Sequence, residues 1–212
     1  MPPHPSAPEL LTLHALRIKG VAEPAAVARR FTLDRDQVAE LLLDFEAYGW
    51  AYRAEFAGTG GWTLTGAGKA EDERQLATEL ADCGGRSEVT RVHAAFRPLN
   101  AHFQETVTRW QVRPMPGDDL ARNDHTDHRW DDRVVDALGV LGRRLVPLDT
   151  ALGDVLARFT GYAQRYSAAV ERVERGEHGW VDGIGIDSCH TVWFELHEDL
   201  LATLGIERGH EG

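Results

Sequence analysis

The sequence predicts a mostly α-helical fold: three helices, a β-hairpin and a fourth helix first, then a C-terminal domain built like a four-helix bundle. Three observations predict it. Apolar residues recur at helical spacing over most of the chain. The period changes to alternation only between Trp50 and Thr65, on either side of Gly58-Thr59-Gly60-Gly61. Beyond residue 88, Val89, Phe96, Phe103 and Trp110 recur every seven residues with Val92, Leu99 and Thr106 interleaved, the seam of a helix that packs on other helices.

Taken in order, the Pro-rich residues 1–8 delay the first element to about Glu9. Leu10, Leu13, Leu16 and Ile18 then mark a short helix that stops at Gly20. Pro24 suits the first turn of a second helix carrying Ala25, Val27, Ala28 and Phe31. After a turn at Thr32-Leu33, Asp34 is an N-cap with Gln37 in capping-box position, and Val38, Leu41, Leu42 and Phe45 form the buried face of a third helix ending at Tyr48-Gly49. The hairpin follows. Thr65 caps a further helix to Ala81, with Glu71, Asp72 and Glu73 near its positive end. Asp82 to Ser87 reads as a linker, which divides the chain into domains at 9–81 and 88–206. In the second domain Pro98 is expected to kink the first helix, residues 112–126 form a loop, and helices are expected from Asp127 to Leu141, from Leu148 to Arg175 and from Ser188 to Leu204.

Composition narrows the function. Of the 212 residues, 42% are hydrophobic and 27% charged, the balance of a folded, water-exposed chain. No stretch has the roughly 20 apolar residues of a membrane span, and the start, MPPHPSAPEL, lacks the features of a secretory leader. Two cysteines, Cys83 and Cys189, make neither a disulfide framework nor a CxxC pair. A cytoplasmic protein without a cofactor is therefore expected. The net charge is −11; residues 1–80 hold eight Lys and Arg against twelve Asp and Glu, so −4 falls there and −7 in the remainder. Neither half has the basic excess that draws a protein to nucleic acid, which leaves only a local patch to do so.

The order of elements over residues 9–80, with AAVARRF before the turn, LDRDQVAELLLDFEAYGWAYR through the third helix and its strand, and GGWTLTGAGKA closing the hairpin, resembles the winged helix-turn-helix domain of MarR-type bacterial regulators. The resemblance covers about a third of the chain. It implies double-stranded DNA as partner, with the helix from Asp34 in the major groove, Arg35 and Gln37 toward bases, Arg29 and Arg30 on phosphate, and Arg53 and Thr59 in the wing on the flanking backbone. It also implies a homodimer, because paired reading helices match paired half-sites. The exposed side of that helix departs from the pattern: Asp36, Glu40 and Asp44 repel phosphate. An accessory or adaptor protein that grips another protein through an acidic winged helix is the alternative.

In the C-terminal domain His102, Trp110, Tyr162, His190, Trp193 and His197 are candidates to line a pocket for an aromatic or acyl effector; His93, Trp130 and Tyr166 belong to the same concentration of rings. The bland alternative is that the tryptophans anchor a core and the histidines are half exposed. His125 and His128 with Asp131 and Asp132 have the atoms of a metal site, but Asp127 reads better as a helix cap and the acids suit the helix start. His190 and His197 lack HExxH spacing, Gly183-Ile184-Gly185 is too short to cradle a nucleotide, and no GxSxG motif is present, so no enzyme is expected.

Overall fold

The computed structural model describes residues 2–56 and 59–207, with the side chains of Phe56 and Thr59 outside that description. Among the described residues the chain is mostly helical, with eight α-helices and one two-stranded sheet. None of these helices is long and apolar enough to cross a membrane. The described residues divide into two compact units, one of residues 2–56, 59–89, 153–158 and 195–207, the other of residues 90–152 and 159–194.

In the first unit, α1 (Pro8–Lys19), α2 (Pro24–Phe31) and α3 (Arg35–Ala47) lead into β1 (Ala51–Phe56), β2 (Thr59–Leu64) and α4 (Gly66–Asp82). The termini follow local chemistry. Pro8 and Pro24 open α1 and α2, where a missing N–H costs nothing. Gly20, at φ 78°, closes α1 and donates to the Leu16 carbonyl at 2.9 Å. Thr32 takes the left-handed conformation after α2, at φ 54°. Asp34 caps α3, accepting from the Asp36 and Gln37 amides at 3.0 and 2.9 Å.

The hairpin is antiparallel in the register Ala51↔Leu64 to Phe56↔Thr59. Ala22 adds a bridge to its edge, exchanging backbone bonds of 3.0 and 2.8 Å with Trp62. That close approach requires Gly61, since a Cβ there would meet the Ala22 backbone at 2.8 Å. Thr65 holds the exit: its hydroxyl donates to the Gly49 carbonyl at 2.7 Å and accepts from the Gly68 amide at 3.0 Å. Leu13, Leu16, Val27, Val38, Leu42, Phe45, Trp62 and Leu64 form the core beneath.

The second unit holds most of α5 (Arg86–Gln111), α6 (His128–Gly153), α7 (Tyr162–Glu174) and the start of α8 (Cys189–Leu204). Phe96, Phe103, Trp110, Leu138, Leu141, Tyr162, Tyr166 and Trp193 are buried in it. Two expectations are corrected here. Helix α6 does not stop at Leu141 but runs through Pro147 to Gly153, and the helix expected from Leu148 to Arg175 is broken by a 3₁₀ turn at Ala157–Phe159, so that α7 begins at Tyr162. Pro147 lacks an N–H for the Arg143 carbonyl, but Pro147 and Arg143 are both exposed, so the freed acceptor is on the side that meets water. Pro98 is likewise exposed inside a continuous α5. Asp149, near the end of α6, caps α7 by accepting from the Tyr162 and Ala163 amides at 2.9 and 3.2 Å.

Candidate functional site

The exposed face of α3 is the first candidate. Arg35, Asp36, Gln37, Glu40 and Asp44 are all exposed, and Leu43, with 53% of its surface open, stands among them. Spacing of three and four residues puts Asp36, Glu40, Leu43 and Asp44 on one side of the helix. Tyr48, just past the helix, and Tyr52 in β1 are 62% and 49% exposed. The expected phosphate contacts divide. Arg29 is exposed, and Arg53 is exposed with its guanidinium 4.9 Å from the Trp62 ring centre. Arg30 points inward: its side chain is 3% exposed, lies 4.4 Å from the Phe31 ring centre and faces Glu195. The Glu195 carboxylate and the Phe31 ring hold it there against the cost of desolvation, away from the exposed face of α3. Thr59 lies in β2, and its side chain falls outside the described residues.

A buried charge network occupies the same unit. His14 on α1 lies 3.2 Å through Nδ1 from Asp72 on α4 and 3.0 Å through Nε2 from Asp199 on α8, and none of the three side chains is exposed. Arg158 donates to Glu79 at 2.9 Å, to Thr203 at 2.8 Å and to Asp199. Lys19 donates to Glu195 at 2.8 Å, and Arg17 to Glu198 at 2.6 Å. An imidazole that donates on both sides must carry both protons. Burial opposes that charge, yet Asp72 and Asp199 outweigh it, and the His14 pKa rises to about 9. Burial also opposes ionisation of Asp199, but Arg158 and His14 hold its carboxyl well below the usual range. His14, Asp72, Asp199 and Arg158 are sealed from solvent, and the network fastens α1, α4, Arg158 and α8 together.

The rings of the second unit mostly pack on one another. Trp193 stacks on Phe103 at 4.6 Å between centres, lies 5.1 Å from Phe96 and 5.5 Å from Tyr166, and donates its indole N–H to Asn100 at 3.0 Å. Burial pushes the Tyr166 hydroxyl well above its usual pKa and the Cys189 thiol up to about 12, so neither ionises near neutral pH. Of the six expected pocket residues, the structure brings Trp193 and His190 to Phe103, His190 standing exposed at 6.3 Å from that ring. Tyr162 is buried beside Arg165, Trp110 belongs to a separate group with His125 and His178, His102 is exposed, and His197 falls in the first unit.

At the loop before α6, Asp127 is the helix cap, accepting from the Trp130 amide at 3.2 Å. His125 pairs with Asp131 at 3.1 Å, whereas His128 is exposed on the first turn. Among the described residues no group of three His, Cys, Asp or Glu side chains is arranged to hold a metal ion. No family model matches this chain, and neither a curated protein nor a solved structure matches it.

The buried network escaped the sequence reading, in which Asp72 is an acid at a helix start. The signal was present: Asp72 and Glu79 are seven apart on α4, as Asp199 and Thr203 are four apart on α8, so each pair shares a helix face with apolar neighbours.

Proposed function

We propose that the chain is a DNA-binding transcriptional regulator whose first unit is a winged helix-turn-helix. One observation carries the reading: helices α1, α2 and α3, the β1–β2 hairpin and α4 follow one another with α3 capped at Asp34, and Arg29, Arg35, Gln37 and Arg53 exposed around that cap and hairpin. The N-terminal turn of α3 is the reading end, because Arg35 and Gln37 stand there while Glu40 and Asp44 occupy later turns. Arg29 and Arg53 supply the phosphate contacts; Arg30 does not. The helical remainder serves dimerisation and effector sensing, the effector being an aromatic or acyl molecule that enters beside the exposed His190 and displaces a ring near Phe103 and Trp193.

The test is binding to the protein's own upstream duplex and to a scrambled one, at two salt concentrations. Two phosphate contacts per protomer, Arg29 and Arg53, predict that log K falls against log salt with a slope of about −4 for a dimer, and that Arg29→Ala/Arg35→Ala lowers the slope and abolishes specific binding. Absence of binding at low salt overturns the reading.

A second reading draws on a specific observation. Asp36, Glu40, Leu43, Asp44 and Tyr48 combine carboxylates with exposed apolar surface, the composition of a protein-docking face for a basic, apolar segment and not of a phosphate-binding one. An adaptor of this kind also holds its partner through Leu43 and Tyr48, so its binding falls less steeply with salt than that of a DNA complex.

A further inference from the structure

We propose that His125 and His178 together bind one zinc-type divalent ion, with Asp131 as the positioning residue behind His125. Asp131 is 5% exposed. It is fixed by the Asn123 side-chain amide at 2.9 Å, which also donates to the Trp110 carbonyl at 3.0 Å. The Asn123 amide nitrogen also stands 3.3 Å from His125 Nδ1, but its two hydrogens are directed to Asp131 and to the Trp110 carbonyl; the carboxylate only accepts, so the contact of 3.1 Å from His125 Nδ1 places the proton on Nδ1 and the lone pair on Nε2. This is the carboxylate–histidine arrangement that orients imidazole for a metal. Nε2 has no hydrogen-bond partner among the described residues.

The second imidazole is beside it. The His178 ring lies 5.8 Å from that of His125, between centres, and His178 is exposed. Trp110, 3% exposed, packs against both rings, at 4.3 Å from His125 and edge-on at 5.2 Å from His178, and so sets their separation. Two imidazoles that share an ion at about 2 Å from each nitrogen hold their centres roughly 5–6 Å apart. The His125 backbone is at φ 57°, a conformation that a β-carbon disfavours. Nitrogen donors select zinc, nickel or copper over magnesium or calcium. With two protein ligands, water completes the shell, so the ion is exchangeable and open to a further ligand.

Calorimetric titration of the full chain with Zn²⁺ alone, joined to imidazole NMR, tests this. The expected result is one equivalent bound, with the His125 and His178 resonances shifting together. His178→Ala, at an exposed turn, and His125→Asn, which tolerates the same backbone conformation, each remove that event, and Asp131→Asn weakens it by about 10–100-fold. Unchanged affinity in His178→Ala, or zinc shifts confined to other histidines, overturns the proposal.

Discussion

At the scale of single residues, His14 has the largest consequence, because its charge is needed by two carboxylates that cannot reach water. Its pKa of about 9 in the folded chain exceeds the ordinary value of about 6.5 for a histidine in an unfolded one. The stabilisation it contributes is therefore complete below pH ~6.5 and is lost as pH rises through about 9. Denaturation midpoints measured from pH 6 to 10 should fall across that interval in the wild type. They should fall much less in His14→Gln, which starts lower by about 3–5 kcal/mol because buried Asp72 loses its cationic partner and Asp199 is left with Arg158. Equal slopes in the two proteins would show that His14 is neutral. Asp199 acts at the other limit: its depressed pKa gives stability that is present above about pH 4 and lost as pH falls further.

Elements differ in how far their causes are local, and this decides what the sequence reveals. The cap of α3 is local: Asp34 bonds amides two and three residues ahead, and its role is readable without knowing the fold. Asp34→Ala should cost about 1 kcal/mol in thermal denaturation, and Asp34→Ser nearly nothing. Gly68 is not local. A Cβ there would run into the Trp50 carbonyl, a group eighteen positions back that the hairpin brings to the start of α4. Gly68→Ala should therefore destabilise by about 1–3 kcal/mol although alanine is the better helix former, whereas Gly66→Ala, with open space around it, should be neutral or better. The same distinction explains the rest. Leu141 looks like a helix end to a reader of spacing, but α6 continues, and exposure of Pro147 lets the helix pass that residue too. Asp72 looks like a solvated acid until α1 and α8 bring it His14 and its neighbours. His178, in a short 3₁₀ turn more than fifty residues from His125, meets it only through Trp110.

For the whole molecule the question is what a chain of net charge −11 can attract. Part of the acid in the first unit is neutralised inside it, since Asp72, Glu79, Asp199, Glu195 and Glu198 face His14, Arg158, Lys19 and Arg17. The field at α3 is then set by what is exposed there, with Arg35 against Asp36, Glu40 and Asp44. Replacing Glu40 and Asp44 by Gln and Asn leaves the α3 cap and core untouched, because both side chains are exposed and the cap is Asp34. If the face meets DNA, the removal of two repulsive charges should raise affinity by about threefold to tenfold at low salt, with the gain fading as salt screens it. If the face receives a basic protein segment, the same variant should lose its partner by a similar factor, mainly through slower association, while DNA remains unbound. The two outcomes have opposite sign, so a single variant assayed by fluorescence anisotropy on duplex DNA and by affinity capture of partners distinguishes the regulator from the adaptor.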